Sequence, residues 1–144
     1  MIGYFDTSAV VPLVVAEPSS GRCRTLWQAC DVRLSSVLVV AEAHAALAMA
    51  ERIGRLTTAQ HTAAVERLGR RLDEIDLAVT TRDIVDRAAQ LAWRYALRGY
   101  DAVHAATAEL LAGDGVVVIS GDQALLAAWS ALGFDIIDTN TTID

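Results

Sequence analysis

At 144 residues the chain has the length of one domain, enough to bury roughly 68% of its unfolded surface. A net charge of −6 argues against a general nucleic-acid coat protein, which holds phosphate through a basic excess, and no uncharged apolar run reaches the ~18 residues of a spanning helix. All twelve basic residues are arginine, which excludes a GK[ST] phosphate loop, a lysine Schiff base and the phosphoryl-transfer sites that set a lysine beside an aspartate.

Residues 2–5 predict a first strand, closed by Asp6 in the stretch FDTS. The segment SSGRCRTLWQAC predicts a helix that would separate Cys23 and Cys30 by about 10 Å along its axis. That spacing excludes a mutual disulfide; both cysteines read as small hydrophobes, and the expected compartment is the cytoplasm. The N-terminus has no basic segment ahead of its apolar run, so the first residues are expected to be retained.

Residues 32–35 predict a second strand. After it, SVLVVAEAHAALAMAERIG predicts a largely buried helix stopped by Gly54, and TTAQ at 57–60 is a capping-box start for another. A third strand is expected at 76–79. In TTRDIVDRAAQLAWRYALRG, residues Ile84, Ala88, Leu91 and Tyr95 recur at helical spacing and Gly99 is placed to end the helix. YDAVHAATAELLA reads as the next helix. The run VVVIS, within a fourth strand at 115–120, is apolar on consecutive residues, as a strand covered on both faces must be; a fifth strand is expected at 134–137. This alternation predicts a doubly wound α/β fold. With no linker, repeat or low-complexity stretch, one domain over 1–144 is expected.

Four of the eighteen acidic residues stand among small or apolar neighbours: Asp6 in YFDTSAV, Glu42 in LVVAEAHAAL, Asp101 in GYDAVHAA and Asp122 in VVISGDQALL. Asp6, Asp101 and Asp122 also fall at predicted helix starts, where aspartate caps free N–H groups, so residue type alone fits either role. Glu42 is the one charge between Ser35 and Ala50. Buried without a partner it would be strongly destabilising, so it calls for an arginine or a cation.

Placement favours the cation. Asp6 ends one strand, Asp122 follows another and Asp101 opens the helix before it, and open α/β sheets build ligand sites at the carboxyl ends of their strands. Glu42, two turns into its helix, can lean over the same edge. Four converging carboxylates repel one another unless a cation joins them, and hard oxygen ligands without a Cys/His cluster select Mg²⁺ or Mn²⁺. Such a cup suits phosphodiester hydrolysis by a metal-activated water.

DTSA at 6–9, the isolated Glu42, YDAVHAATA at 100–108 and SGD at 120–122, in this order and at these separations, resemble the PIN domain, and the toxin halves of VapBC toxin–antitoxin pairs in particular. The resemblance spans essentially the whole chain. It implies a three-layer α/β/α sandwich around a parallel five-stranded sheet and a metal-dependent endoribonuclease using one or two Mg²⁺ (or Mn²⁺) ions. The catalytic and metal-binding quartet it implies is Asp6, Glu42, Asp101 and Asp122. Ser8 matches the family's small hydroxyl residue two positions after the first aspartate. Ser120 stands where the family more often has threonine, and it keeps the hydroxyl. An RNA substrate, a homodimer and a cognate VapB-type antitoxin are further implications. The rival readings are a PIN nuclease of RNA processing with no antitoxin and a PIN-like binding module without catalysis; the full set of four acids speaks against the module.

Arg98, just before GYD, is the basic residue best placed to touch a substrate phosphate, although an exposed salt bridge fits it as well. His104, three residues after Asp101, matches the family's helix pattern and reads as a packing or hydrogen-bonding residue. His44 and His61 read as structural or surface positions. Trp27, Trp93, Trp129 and Tyr95 lie in amphipathic or apolar helices and are expected in the core, with Tyr100 the exception.

Overall fold

Five short segments form the strands β1 (Ile2–Phe5), β2 (Val32–Ser36), β3 (Asp76–Ala78), β4 (Val116–Ser120) and β5 (Asp135–Asp138). In the computed structural model, which describes residues 1–113 and 115–141, they pair in parallel in the order β3-β2-β1-β4-β5. Parallel neighbours need crossovers, and the helices supply them. These are α1 (Thr7–Val10, continued by a 3₁₀ turn over Val11–Leu13), α2 (Ser20–Ala29), α3 (Leu38–Arg52), α4 (Thr58–Leu72), α5 (Arg82–Tyr95), α6 (Gly99–Leu111) and α7 (Gln123–Ala131).

Successive residues of a strand point to opposite faces, and the central strands obey this with apolar side chains on both. Phe5 and Ile119 join a core with Trp27, Leu47 and Leu68 under α1 to α4. Tyr4 and Val118 join the other with Leu91, Leu125 and Trp129 under α5 to α7. The result is the three-layer α/β/α sandwich. Gly3 in β1 is required by close approach: a Cβ there would lie 2.6 Å from the Cys30 sulfur and 3.0 Å from Ile119. Both cysteines are free and buried.

The chain departs from the sequence-based expectations in three places. The helix expected to run to Gly99 ends at Tyr95. Ala96 takes the left-handed conformation at φ 53 with its N–H on the Ala92 carbonyl, a turn that buries Leu97 and frees Gly99 to open α6. α3 is half exposed rather than largely buried, its inward face being Val39, Ala43, Leu47 and Ala50 while Met49 faces out. Trp93, expected in the core, is 89% exposed. Trp27 and Trp129 are buried as expected.

Candidate active site

The strand order reverses at β1, so the crevice beyond the carboxyl ends of β1 and β4 is the topological switch point. Phe5 pairs with Ile119 and the Asp6 N–H donates to the Ile119 carbonyl at 3.3 Å. Asp6 and Ser120 thereby become neighbours. The Ser8 hydroxyl joins them: it donates to Asp6 Oδ1 at 2.7 Å, accepts the Gly121 N–H at 2.7 Å and lies 3.2 Å from Ser120 Oγ. Its single proton goes to Asp6, which leaves Ser120 as the donor between the two hydroxyls. Ser120 Oγ accepts the Asp122 N–H at 2.9 Å. Gly121 suits this crowding, because a Cβ there would come within 2.9 Å of Thr139 Oγ1.

Glu42 reaches the same place from the second turn of α3. Its Oε1 accepts Thr7 Oγ1 at 2.9 Å and lies 2.6 Å from His104 Nε2. His104, on α6 one turn beyond Asp101, is 1% exposed, and its Nδ1 lies 2.8 Å from the Tyr4 hydroxyl. Asp101 sits in the first turn of α6. Arg98, the residue preceding that helix, donates from Nε to Asp101 Oδ2 at 3.0 Å and from Nη2 to Asp122 Oδ2 at 3.5 Å. Asp122 also caps α7, accepting the Leu125 N–H on Oδ1 at 3.0 Å. Asp6 precedes α1 without a side-chain cap bond. Hydrogen bonds and ion pairs thus connect Asp6 with Ser8, Ser120 and Asp122, connect Asp122 through Arg98 with Asp101, and connect Glu42 through Thr7 and His104 with the same strand ends.

The electrostatics of buried Asp6 and half-buried Glu42 differ. Burial pushes the Asp6 carboxyl up to about 6, against the opposing pull of the Ser8 and Ser120 hydroxyls. Burial also raises Glu42, but its hydrogen bonds to His104 and to the Thr7 hydroxyl outweigh it and hold the carboxyl below its usual range. Among the described residues, no three acidic, histidine or cysteine side chains are gathered around one point suited to an ion. The donor set nevertheless fits a hard divalent cation. The hydrogen bonds to Asp6 and Glu42 fall on Oδ1 and Oε1, so each offers its second oxygen, and Asp6 lacks the compensating charge that its burial calls for.

A groove of about 720 Å³ opens beside these acids. Leu38, Ala88, Ala92 and Val103 give it apolar walls, and Glu42, Arg98 and Asp101 charge one end. The histidine partner of Glu42 has no signal in the sequence, where the expectation is an arginine or a cation. The helical interval from Asp101 to His104 was visible, but nothing local tied that ring to Tyr4 or Glu42. His44 is exposed and bonded to its own helix at the Val40 carbonyl, and His61 lies 3.2 Å from Glu51, as expected of structural or surface positions.

Residues 3–128 match the model of the PIN domain family. Ribonuclease VapC45 of Mycobacterium tuberculosis is 39% identical over 136 residues, covering 90% of each chain. Among solved structures, FitAcB from Neisseria gonorrhoeae superposes with a TM-score of 0.72 at 17% identity, covering 96% of this chain and 98% of that one. A toxin–antitoxin complex from Klebsiella pneumoniae gives 0.68 at 18% identity, covering 97% and 99%.

Proposed function

The chain belongs to the PIN domain family, and from that premise we propose that it is a divalent-metal-dependent endoribonuclease acting as the toxin of a VapBC-type pair. The relative named as a ribonuclease supports the reaction class. The observation that supports the site is the Ser8 linkage, which ties buried Asp6 to the Ser120–Asp122 turn at the switch point. Asp6, Glu42, Asp101 and Asp122 would hold one or two Mg²⁺ or Mn²⁺ ions. When bound, such an ion supplies charge neutralisation at the phosphate and a lowered water pKa.

The chain's own residues do the rest. Ser8 orients Asp6, while Thr7 and His104 orient Glu42. Arg98, 83% exposed on its side chain, is free to leave Asp101 and Asp122 for a substrate phosphate, where a guanidinium binds in bidentate fashion. In the cell the protein would work in the cytoplasm as a homodimer, silenced by a cognate VapB-type antitoxin lying in the groove beside Glu42 and Asp101.

Cleavage of total RNA with Mg²⁺, Mn²⁺ or EDTA, followed by mapping of the cut ends, tests the activity. Discrete cuts that require metal are expected; undiminished cutting in EDTA would overturn the metal dependence. Arg98→Ala is expected to separate two properties. Removal of the cation between Asp101 and Asp122 should tighten Mg²⁺ binding, whereas loss of the phosphate contact should raise KM for RNA by about tenfold, as loss of one charge-assisted hydrogen bond would. Calorimetric Mg²⁺ titration and steady-state kinetics read the two independently.

A further inference from the structure

Glu42 is the one member of the quartet whose carboxylate is held by a side chain from another layer of the fold. Its Oε1 takes two donors, Thr7 Oγ1 at 2.9 Å and His104 Nε2 at 2.6 Å. An ionised carboxylate only accepts, so the proton of this short contact sits on Nε2. A neutral ring then leaves Nδ1 as an acceptor, and the Tyr4 hydroxyl, 2.8 Å away, donates to it. Both partners are sealed in: Tyr4 is fully buried and His104 is 1% exposed, with the two rings edge to face at a centroid separation of 6.0 Å. Water has no access to replace either donor. Tyr4 belongs to the central strand, His104 to α6 and Glu42 to α3, so the line Tyr4–His104–Glu42 crosses the sheet from one helical layer to the other.

We propose that His104 is a positioning residue for the metal site: through Nε2–H it fixes Glu42 with Oε1 occupied and Oε2 available to the ion, and Tyr4 sets the ring's tautomer. This rests on the reading of Glu42 as a metal ligand. A bare packing role would need neither the polarity of the ring nor the Tyr4 hydroxyl. Partners that orient a metal ligand from behind, when removed, typically cost 10- to 100-fold in metal affinity or activity, and an effect of that size on ion affinity is expected here.

The test is a Mn²⁺ titration of the full chain, followed by the electron paramagnetic resonance signal of free Mn²⁺, with circular dichroism and thermal melts to establish folding. His104→Met fills the space without a donor and should weaken Mn²⁺ by about 10- to 100-fold. His104→Gln, whose amide nitrogen can take the place of Nε2, should recover most of that loss. Tyr4→Phe removes only the hydroxyl and should weaken binding several-fold. A folded His104→Met protein with wild-type Mn²⁺ affinity would overturn the inference. If His104→Met does not fold, unchanged Mn²⁺ affinity in a folded Tyr4→Phe protein would do so. Wild-type protein that binds no Mn²⁺ would overturn the metal reading itself and this inference with it; wild-type binding with unaltered variants overturns the inference alone.

Discussion

Asp6→Asn is expected to abolish metal-dependent RNA cleavage, by more than about a hundred-fold, while making the metal-free protein more stable at neutral pH. The loss should exceed the 10- to 100-fold typical of residues that only orient a ligand, because here the ligand itself loses its charge. The gain in stability follows from burial. Folded Asp6 keeps its proton up to about 6, against an ordinary value of 3.8. Between those two values the native state binds more protons than the unfolded one, so this group's contribution to stability falls as pH rises and is fully unfavourable above about 6. The gap corresponds to roughly 3 kcal/mol. Asparagine keeps the Oδ1 acceptor for Ser8 and has no charge to desolvate. The difference in melting temperature between Asp6→Asn and wild type, in EDTA, should therefore grow from pH 4.5 to pH 7. Saturating Mn²⁺ should reverse the order, because only wild type gains fully from binding. A difference that stays flat with pH would refute the desolvated-carboxylate account, and a folded Asp6→Asn enzyme with wild-type activity would refute the metal cup.

The second large effect concerns inhibition. A cognate antitoxin's C-terminal segment is expected to silence cleavage by laying apolar side chains along Ala88, Ala92 and Val103 and setting an arginine or lysine against Glu42 and Asp101. The groove provides both environments side by side. Truncating a buried charged partner costs about 2–5 kcal/mol, so replacing that one basic residue with alanine should weaken inhibition by about thirtyfold or more. The inserted cation and the metal would compete for the same carboxylates. Mg²⁺ should then relieve inhibition more than NaCl at equal ionic strength does. Identical effects of the two salts would indicate general screening, or a blocking site elsewhere.

Strand positions were legible in the sequence to within a residue or so, most plainly for the two central strands, IGYF and VVVIS, which are largely apolar runs between polar breaks. Helix ends were harder. Gly99 has the flexibility to stop a helix, yet Ala96 makes the left-handed turn, and nothing about an alanine announces φ 53; the burial of Leu97 explains the preference only once the fold is known. Trp93 shows a different lapse. It lies two residues after Leu91, which on a 3.6-residue helix is the opposite side from the buried face, so periodicity itself points it to solvent. At the candidate site, the types and order of the four acids were readable because charges among apolar neighbours stand out. Their connections were not. Glu42 and His104 are 62 residues apart and Tyr4 and His104 are 100 apart, and no local pattern encodes such pairings. Asp122 also shows that capping uses only half of a carboxylate, since its Oδ1 caps α7 while Oδ2 faces Arg98.

The borders of the sheet have a consequence for how copies of the chain meet. A border strand exposes an unpaired row of amides and carbonyls that a second molecule could extend. Here one border, β3, begins with exposed Asp76, and the other, β5, begins and ends with Asp135 and Asp138. Bringing two such borders together would set like charges face to face, and Arg22 already occupies the Asp138 carbonyl at 2.9 Å. Growth of one continuous sheet through neighbouring molecules is disfavoured at both ends. For the proposed homodimer this leaves helical surfaces such as the outer side of α3, where Met49 is half exposed and Ile53, just beyond the helix, is 62% exposed.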